Sequence, residues 1–245
     1  MYHRDMNKFA VFDIDGTLIR WQLYHVMVDK LAKQELLGVD ATEQLHQARM
    51  KWKRREHPEA FASYEQALIA IFEASMPTLK THDFDALVDE VIDTYKDQVY
   101  TYTRDLIKHL KQQGYTLLAI SGSHQELVAR LAMYYGFDDW VGSVYERRDG
   151  GFTGQKFVGS HDKQAVLEQL IDKHHLDLQD SYAVGDSKSD AAMLQMVTHP
   201  IAFNPDRNLF ELAQRHHWNI VIERKNMTYP LEWRDGNYVL AETGE

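Results

Sequence analysis

The sequence predicts an α/β fold, a doubly wound parallel sheet interrupted after its first strand by an all-helical insert. Three observations lead there. Short apolar runs bounded by turn signals recur along the chain, amphipathic stretches of helical length lie between them, and residues 21–104 hold no run of the first kind. Continuous apolar character without alternation marks strands buried on both faces of a parallel sheet. Strand and helix in alternation then place helices over both faces.

The first strand is read in "KFAVFDID", residues 8–15. Four helices follow, in "WQLYHVMVDKLAKQELLG", "ATEQLHQARMKWKRRE", "EAFASYEQALIAIFEAS" and "HDFDALVDEVIDTYKDQV", with breaks near Gly38, His57-Pro58 and Met76-Pro77. This block, residues 21–104, is expected to form a helical cap, and residues 1–20 with 105–245 the core. The second strand is "YTLLAISGS", and the helix "HQELVARLAMYYG" after it ends at Gly136, a residue suited to the left-handed cap. In "DKQAVLEQLIDKHH" Val166, Leu167, Leu170 and Ile171 form one apolar stripe. "SYAVGDS", "HPIAFNP" and "NIVIER" supply the remaining strands, and the tail with "TYPLEW" and "NYVLAETGE" reads as a last strand or an edge hairpin.

The bulk numbers bound the function. A chain of 245 residues with 44% apolar residues can build a sizeable core. Its net charge of −10 argues against a general binder of nucleic acid or anionic membrane. There is no cysteine, which excludes disulfides, thiolate metal sites and cysteine catalysis, and suits a cytoplasmic protein. The polar start "MYHRDMNK" and the early Asp13 give neither a signal peptide nor a membrane span. Oligomeric state is not legible.

The chemistry lies where the strands end, because open α/β sheets bind ligands outside their carboxyl edge. The first strand ends in Asp13-Ile14-Asp15-Gly16-Thr17, the second in Ser121-Gly122-Ser123, and "YAVGD" in Gly185-Asp186-Ser187 with Asp190 four residues on. Lys163 opens a helix. Four carboxylates cannot share a cleft as anions without a hard cation, and Mg²⁺ prefers such oxygens. A phosphoryl group could be held there by the cation, Lys163, the Ser121 hydroxyl and backbone N–H groups. Asp13 could then attack phosphorus, since carboxylates form acyl phosphates. Asp15, two residues on, could protonate the leaving oxygen and later deprotonate water.

"DIDGT", "SGS", the helix-initial lysine and "GDSKSD", in this order, resemble the four motifs of the haloacid dehalogenase superfamily. The insert and "YERRDGGFTGQ" before the lysine are similar to its phosphoserine-phosphatase-like branch. The resemblance implies a Rossmann-like core and a Mg²⁺-dependent phosphomonoesterase acting on a small phosphorylated metabolite through an aspartyl-phosphate. It implies Asp13 as nucleophile and metal ligand, and Asp15 as general acid and base with its carbonyl on the metal. Ser121 and Gly122 become phosphate contacts, Lys163 the charge neutraliser, Asp186 a metal ligand and Asp190 a partner beside the metal. A phosphotransferase or phosphomutase of the same superfamily, or a silent metal- and phosphate-binding regulatory module, are the rival readings. Phosphoserine phosphatases carry a glutamate where this chain has Gln22, so phosphoserine is not expected to be a preferred substrate.

Blander readings stand beside these. Lys156 competes with Lys163, and Ser187 or Ser189 suits a purely structural helix N-cap. His174-His175 and His216-His217 suit solvated helix ends, and "KWKRRE" an exposed helix face.

Overall fold

A computed structural model of the protein describes residues 7–57 and 59–241. The start of the polar N-terminal segment, the expected break at Pro58 and the last four residues of the tail lie outside the described residues. The elements begin with β1 (Phe9–Phe12), α1 (Leu23–Lys33), α2 (Ala41–Lys53), α3 (Ala60–Ser75), α4 (Thr81–Tyr95) and α5 (Thr101–Gln112). There follow β2 (Thr116–His124), α6 (Gln125–Tyr135), β3 (Asp139–Arg148), β4 (Gly151–Phe157), α7 (Lys163–His174) and β5 (Tyr182–Gly185). A 3₁₀ turn at Lys188–Asp190 leads into α8 (Ala191–Met196), β6 (His199–Phe203), α9 (Arg207–His216), β7 (Asn219–Arg224), β8 (Met227–Arg234) and β9 (Asn237–Leu240). Among the described residues no helix is long and apolar enough to cross a membrane.

The chain divides into two compact units. The first comprises the residues up to Trp21, Lys96–Ser143 and those from Val158 on. Its sheet runs β3-β2-β1-β5-β6-β7-β8-β9. The strands from β3 to β7 are parallel, and β8 and β9 add an antiparallel edge. Register is set by pairs such as Phe9↔Thr116 on one side of β1 and Ala10↔Tyr182 on the other. Phe9 and Val11 point to one face, where Leu118, Ile120, Ala183 and Ile220 join Leu167 of α7, Leu194 of α8 and Leu209 of α9 in one buried cluster. Each large apolar side chain so buried contributes about 1.5–3 kcal/mol. Strand order turns about β1, which has β2 on one side and β5 on the other, and this reversal opens a crevice at the strands' carboxyl ends.

The second unit comprises Gln22–Tyr95 and Val144–Phe157. Its helices α1 to α4 enclose Met27, Leu31, Leu68, Phe72, Phe84 and Val88. The end of β3 and all of β4 complete it as an antiparallel hairpin. Tyr145 and Phe152 of that hairpin pack edge-on against Phe72 and Phe84, with ring centroids 5.2 and 5.5 Å apart.

Two features depart from the sequence reading. The return from the insert lies at Tyr95–Lys96 rather than after Arg104, because α5 buries Thr103, Ile107 and Leu110 and packs on β2 of the first unit. The second unit is also not wholly helical. Asp149 and Gly150, with φ of 50° and 77°, form the two-residue turn of the β3–β4 hairpin. Positive φ at both central residues is the geometry that matches strand twist.

Candidate active site

Asp13 is the first residue past β1, and its N–H donates to the Val184 carbonyl at 2.9 Å, which seats it beside β5. Asp186 stands at the same place past β5. Lys163 is the first residue of α7, a start fixed by Asp162, whose carboxylate accepts from the Ala165 N–H. From there the lysine reaches inward until it is 2% exposed. Its ammonium donates to Asp13 Oδ1 at 2.7 Å, Asp190 Oδ1 at 2.6 Å and the Ile120 carbonyl at 2.9 Å. Three protons thus meet three acceptors, which is what a buried ammonium needs. Lys156 is not a rival, because it pairs with Glu73 within the second unit.

Asp190 is fully buried and holds the turn before it together. Its Oδ2 accepts from the Asp186 and Ser187 N–H groups at 3.0 and 2.9 Å and from the Ser187 hydroxyl at 3.2 Å. Ser187 and Asp190 so form a capping box on the 3₁₀ turn, which gives Ser187 the structural role of an N-cap. One oxygen from each of Asp13, Asp186 and Asp190 lies within 4.8 Å of the other two. The Asp15 carboxylate is not in that trio. Its Oδ2 accepts from the Ser121 hydroxyl at 2.8 Å, and Ser121 Oγ in turn accepts from the Ser123 N–H at 2.9 Å. The Gly122 carbonyl accepts from Ser143 Oγ at 2.7 Å.

Gly16 lets the loop after β1 come close to Asp186. Its φ is +81°, and a Cβ there would lie 2.2 Å from Asp186 Oδ2. No side chain fits that space, and L-residues rarely adopt that φ. The Ile120 carbonyl and Ser160, whose Oγ would lie 2.8 Å from a Cβ on Gly122, belong to the site's wall and carry no sequence signal.

Burial dominates the electrostatics. It pushes the Asp13 carboxyl up to about 7 against the pull of Lys163, and the charges of Asp190 and Asp15 push the same way. Asp186 is raised well above the ordinary carboxylate range by burial and then by Asp13. Burial works against the Lys163 charge, but Asp13 and Asp190 outweigh it and raise its pKa. One ammonium therefore does not balance the acids around it. A hard divalent cation fits this donor set, which is all oxygen, anionic and poorly solvated.

The remaining candidates lie apart from this group. His174 Nε2 sits 2.6 Å from Asp139 Oδ2, while His175 and His217 adopt left-handed conformations as the C-caps of α7 and α9. Lys51 and Lys53 to Glu56 are exposed.

Comparison with known proteins adds a family context. A sequence model of the family described as haloacid dehalogenase-like hydrolase matches residues 10–195. A phosphoserine phosphatase of Mycobacterium tuberculosis is 27% identical over 221 residues, which are 88% of this chain and 71% of that protein. A histidinol-phosphatase of Neisseria meningitidis is 25% identical over 228 residues, or 88% of this chain and 99% of that one. Among solved structures, a protein of unknown function from Bordetella pertussis superimposes with a TM-score of 0.72 at 23% identity, covering 89% of this chain and 99% of its own, a likeness of fold.

Proposed function

Given that the chain belongs to the haloacid dehalogenase-like hydrolases and is a phosphoric monoester hydrolase among its phosphoserine-phosphatase-like members, we propose that it works through an aspartyl-phosphate on Asp13. The observation that carries this reading is the seating of Asp13 between Lys163 and two further acids at the carboxyl edge of β1 and β5. The substrate is a small phosphate ester, the setting cytoplasmic and the second unit a specificity cap.

Asp13 and Asp186 are the side chains that would hold Mg²⁺, with the Asp15 carbonyl, and Asp190 would stand beside the ion with its oxygens held by Lys163 and the 186–187 turn. When bound, the ion supplies positive charge against the carboxylates and the phosphoryl oxygens. The chain's own groups do the rest. Lys163 favours the ionised form of Asp13 against the effect of burial and holds its Oδ1 through the 2.7 Å bond. Asp13 attacks phosphorus, an O–P bond to its carboxylate forms, and the bond to the leaving oxygen breaks. Asp15 gives its proton to that oxygen. Water then loses a proton to Asp15 and attacks phosphorus, which releases phosphate and restores Asp13. Ser121, with Gly122 beside it, meets a phosphoryl oxygen by turning to it the one hydroxyl proton that it otherwise donates to Asp15 at 2.8 Å.

A panel of phosphate monoesters assayed for released phosphate, with Mg²⁺ and with chelator, tests the reading. Turnover that requires the metal is expected. Undiminished turnover in excess chelator, or none on any ester, contradicts it. Added alcohols report whether the phosphoryl group passes to an acceptor other than water.

The raised acids give a pH signature. In the metal-free protein Asp13 still holds a proton up to about pH 7, whereas in the unfolded chain it ionises near 3.8. The folded form binds more protons in that window, so metal-free stability falls as pH rises through it. A divalent cation held by Asp13 would supply positive charge that offsets this penalty. The melting temperature gained on adding Mg²⁺ is therefore expected to grow from pH 5.5 to pH 7.5. Thermal denaturation with Mg²⁺ and with chelator at both values checks this, and a constant gain would argue against Asp13 as a ligand.

Substrate preference follows from Gln22, which stands at the N-terminus of α1 with no side-chain cap bond. A neutral amide can accept from an ammonium, but charge-assisted bonds are roughly twice as strong. The relatives' named substrates include both phosphoserine and histidinol phosphate. Phosphoserine is expected to be a poor substrate, and Gln22→Glu to raise its kcat/KM relative to an uncharged phosphate ester. A wild-type enzyme that favours phosphoserine over simple esters would overturn this reading of the cap.

A further inference from the structure

Glu223, near the end of β7, is a buried carboxylate that the chemistry above leaves unused. Its side chain is 2% exposed. Oε1 accepts from Arg20 Nη2 at 2.5 Å and from the Thr101 N–H at 3.1 Å, and Oε2 accepts from the Tyr102 N–H at 2.8 Å. These partners are 121 to 203 residues away in sequence and come from two separate stretches of chain. Its own N–H donates to Asn204 Oδ1 at 2.8 Å, which ties the carboxylate's backbone to the end of β6.

The two stretches are the ones that flank the insert and frame the catalytic loop. Asp15 bridges to Ile19, and Ile19 bridges to Val99 in antiparallel sense. On either side, the Arg20 N–H donates to the Gln98 carbonyl at 3.0 Å and the Tyr100 N–H to the Leu18 carbonyl at 3.0 Å. Arg20 adds a bond from Nε to the Val99 carbonyl at 2.8 Å, and its guanidinium lies 4.7 Å from the centre of the Tyr100 ring. Glu223 thus grips the outer end of a small ribbon whose inner end carries Asp15. It also fills a need of α5. Tyr100 caps that helix without a side-chain bond, and the first N–H groups of a helix require acceptors. A carboxylate there is favoured by the helix dipole as well.

We propose that Glu223 is a positioning residue: acting through Arg20 and the start of α5, it fixes the ribbon that sets where the Asp15 carboxyl meets the leaving oxygen. This rests on the function proposed above. A carboxylate that only capped α5 would affect all substrates alike, through the amount of folded enzyme. A carboxylate that places Asp15 affects most the esters whose leaving oxygen needs a proton.

The test compares kcat/KM for an alkyl phosphate and for p-nitrophenyl phosphate in wild type, Glu223→Gln and Arg20→Met. Arg20→Met changes an exposed residue and leaves Glu223 its bonds to α5, so it separates the ribbon from the helix cap. The alkyl ester is expected to lose about 10- to 100-fold in each variant, because small misplacements of a catalytic group are costly. The aryl ester, with its good leaving group, is expected to lose less than about threefold by the same argument. The double variant should be no worse than the more damaged single one, as for residues acting through one contact. Equal losses on both esters, or no loss in Arg20→Met, would overturn the proposal. A wild type that hydrolyses neither ester would instead overturn the function on which it rests.

Discussion

Asp13→Asn is expected to abolish phosphate release, by roughly 10⁴- to 10⁶-fold, while leaving the protein folded. An amide does not displace an ester oxygen from phosphorus, and neither Asp190 nor Asp15 stands in its place. Asp190 is bound to Lys163 and to the 186–187 turn, and the Asp15 carboxylate is not in the trio that Asp13 joins. The fold should survive because the asparagine carbonyl can still accept from Lys163 in a space of the same volume. The change also removes an anion that burial had already disfavoured. Metal-free Asp13→Asn should accordingly lose less stability than wild type between pH 5.5 and pH 7.5. Steady-state assay of phosphate release, with melting curves at both pH values, checks both halves. Activity within tenfold of wild type would remove Asp13 from the mechanism.

Asp15→Asn should be the second most damaging change, slowing turnover by roughly 10²- to 10⁴-fold, the usual worth of a placed acid and base. The asparagine oxygen can keep the bond from Ser121, so geometry is preserved while the proton is lost. The loss should be greatest for alkyl esters and least for aryl esters. Hydrolysis of the phosphorylated enzyme also needs a base, so an aryl substrate should show a burst of phenol followed by slow turnover. Rapid mixing with p-nitrophenyl phosphate measures that burst. A uniform loss on all esters without a burst would reduce Asp15 to a structural part of the loop.

Much of the fold and of the candidate site was legible because the residues proposed to carry the chemistry are the ones that end buried strands. Asp13 and Asp186 interrupt apolar runs at the point where parallel strands open to ligand, and Lys163 announces itself by starting an amphipathic helix. Other features were hidden for physical reasons. The choice between Lys163 and Lys156 depended on depth: one side chain is buried against Asp13 and Asp190, whereas the other pairs with Glu73. The β3–β4 hairpin falls between helical stretches, and its residues alternate too weakly to read as buried strands. The Asp149-Gly150 pair was its one signal. The stem at 96–104 read as helical insert because α5 has the same period as its neighbours, and only packing assigns it to the first unit. Glu223 sat in plain view at the end of "NIVIER", yet its partners lie far away in sequence, and no local pattern brings them together.

Acid quenching of the enzyme during turnover, followed by mass spectrometry of its peptides, shows whether Asp13 carries the phosphoryl group. Asp15→Asn with an aryl phosphate is the best case, because the intermediate should accumulate. One added phosphoryl group is expected on the peptide containing Asp13, labile to base and hydroxylamine, and absent from Asp13→Asn. An unmodified Asp13 peptide during active turnover, or a phosphoryl group on another residue, would contradict it.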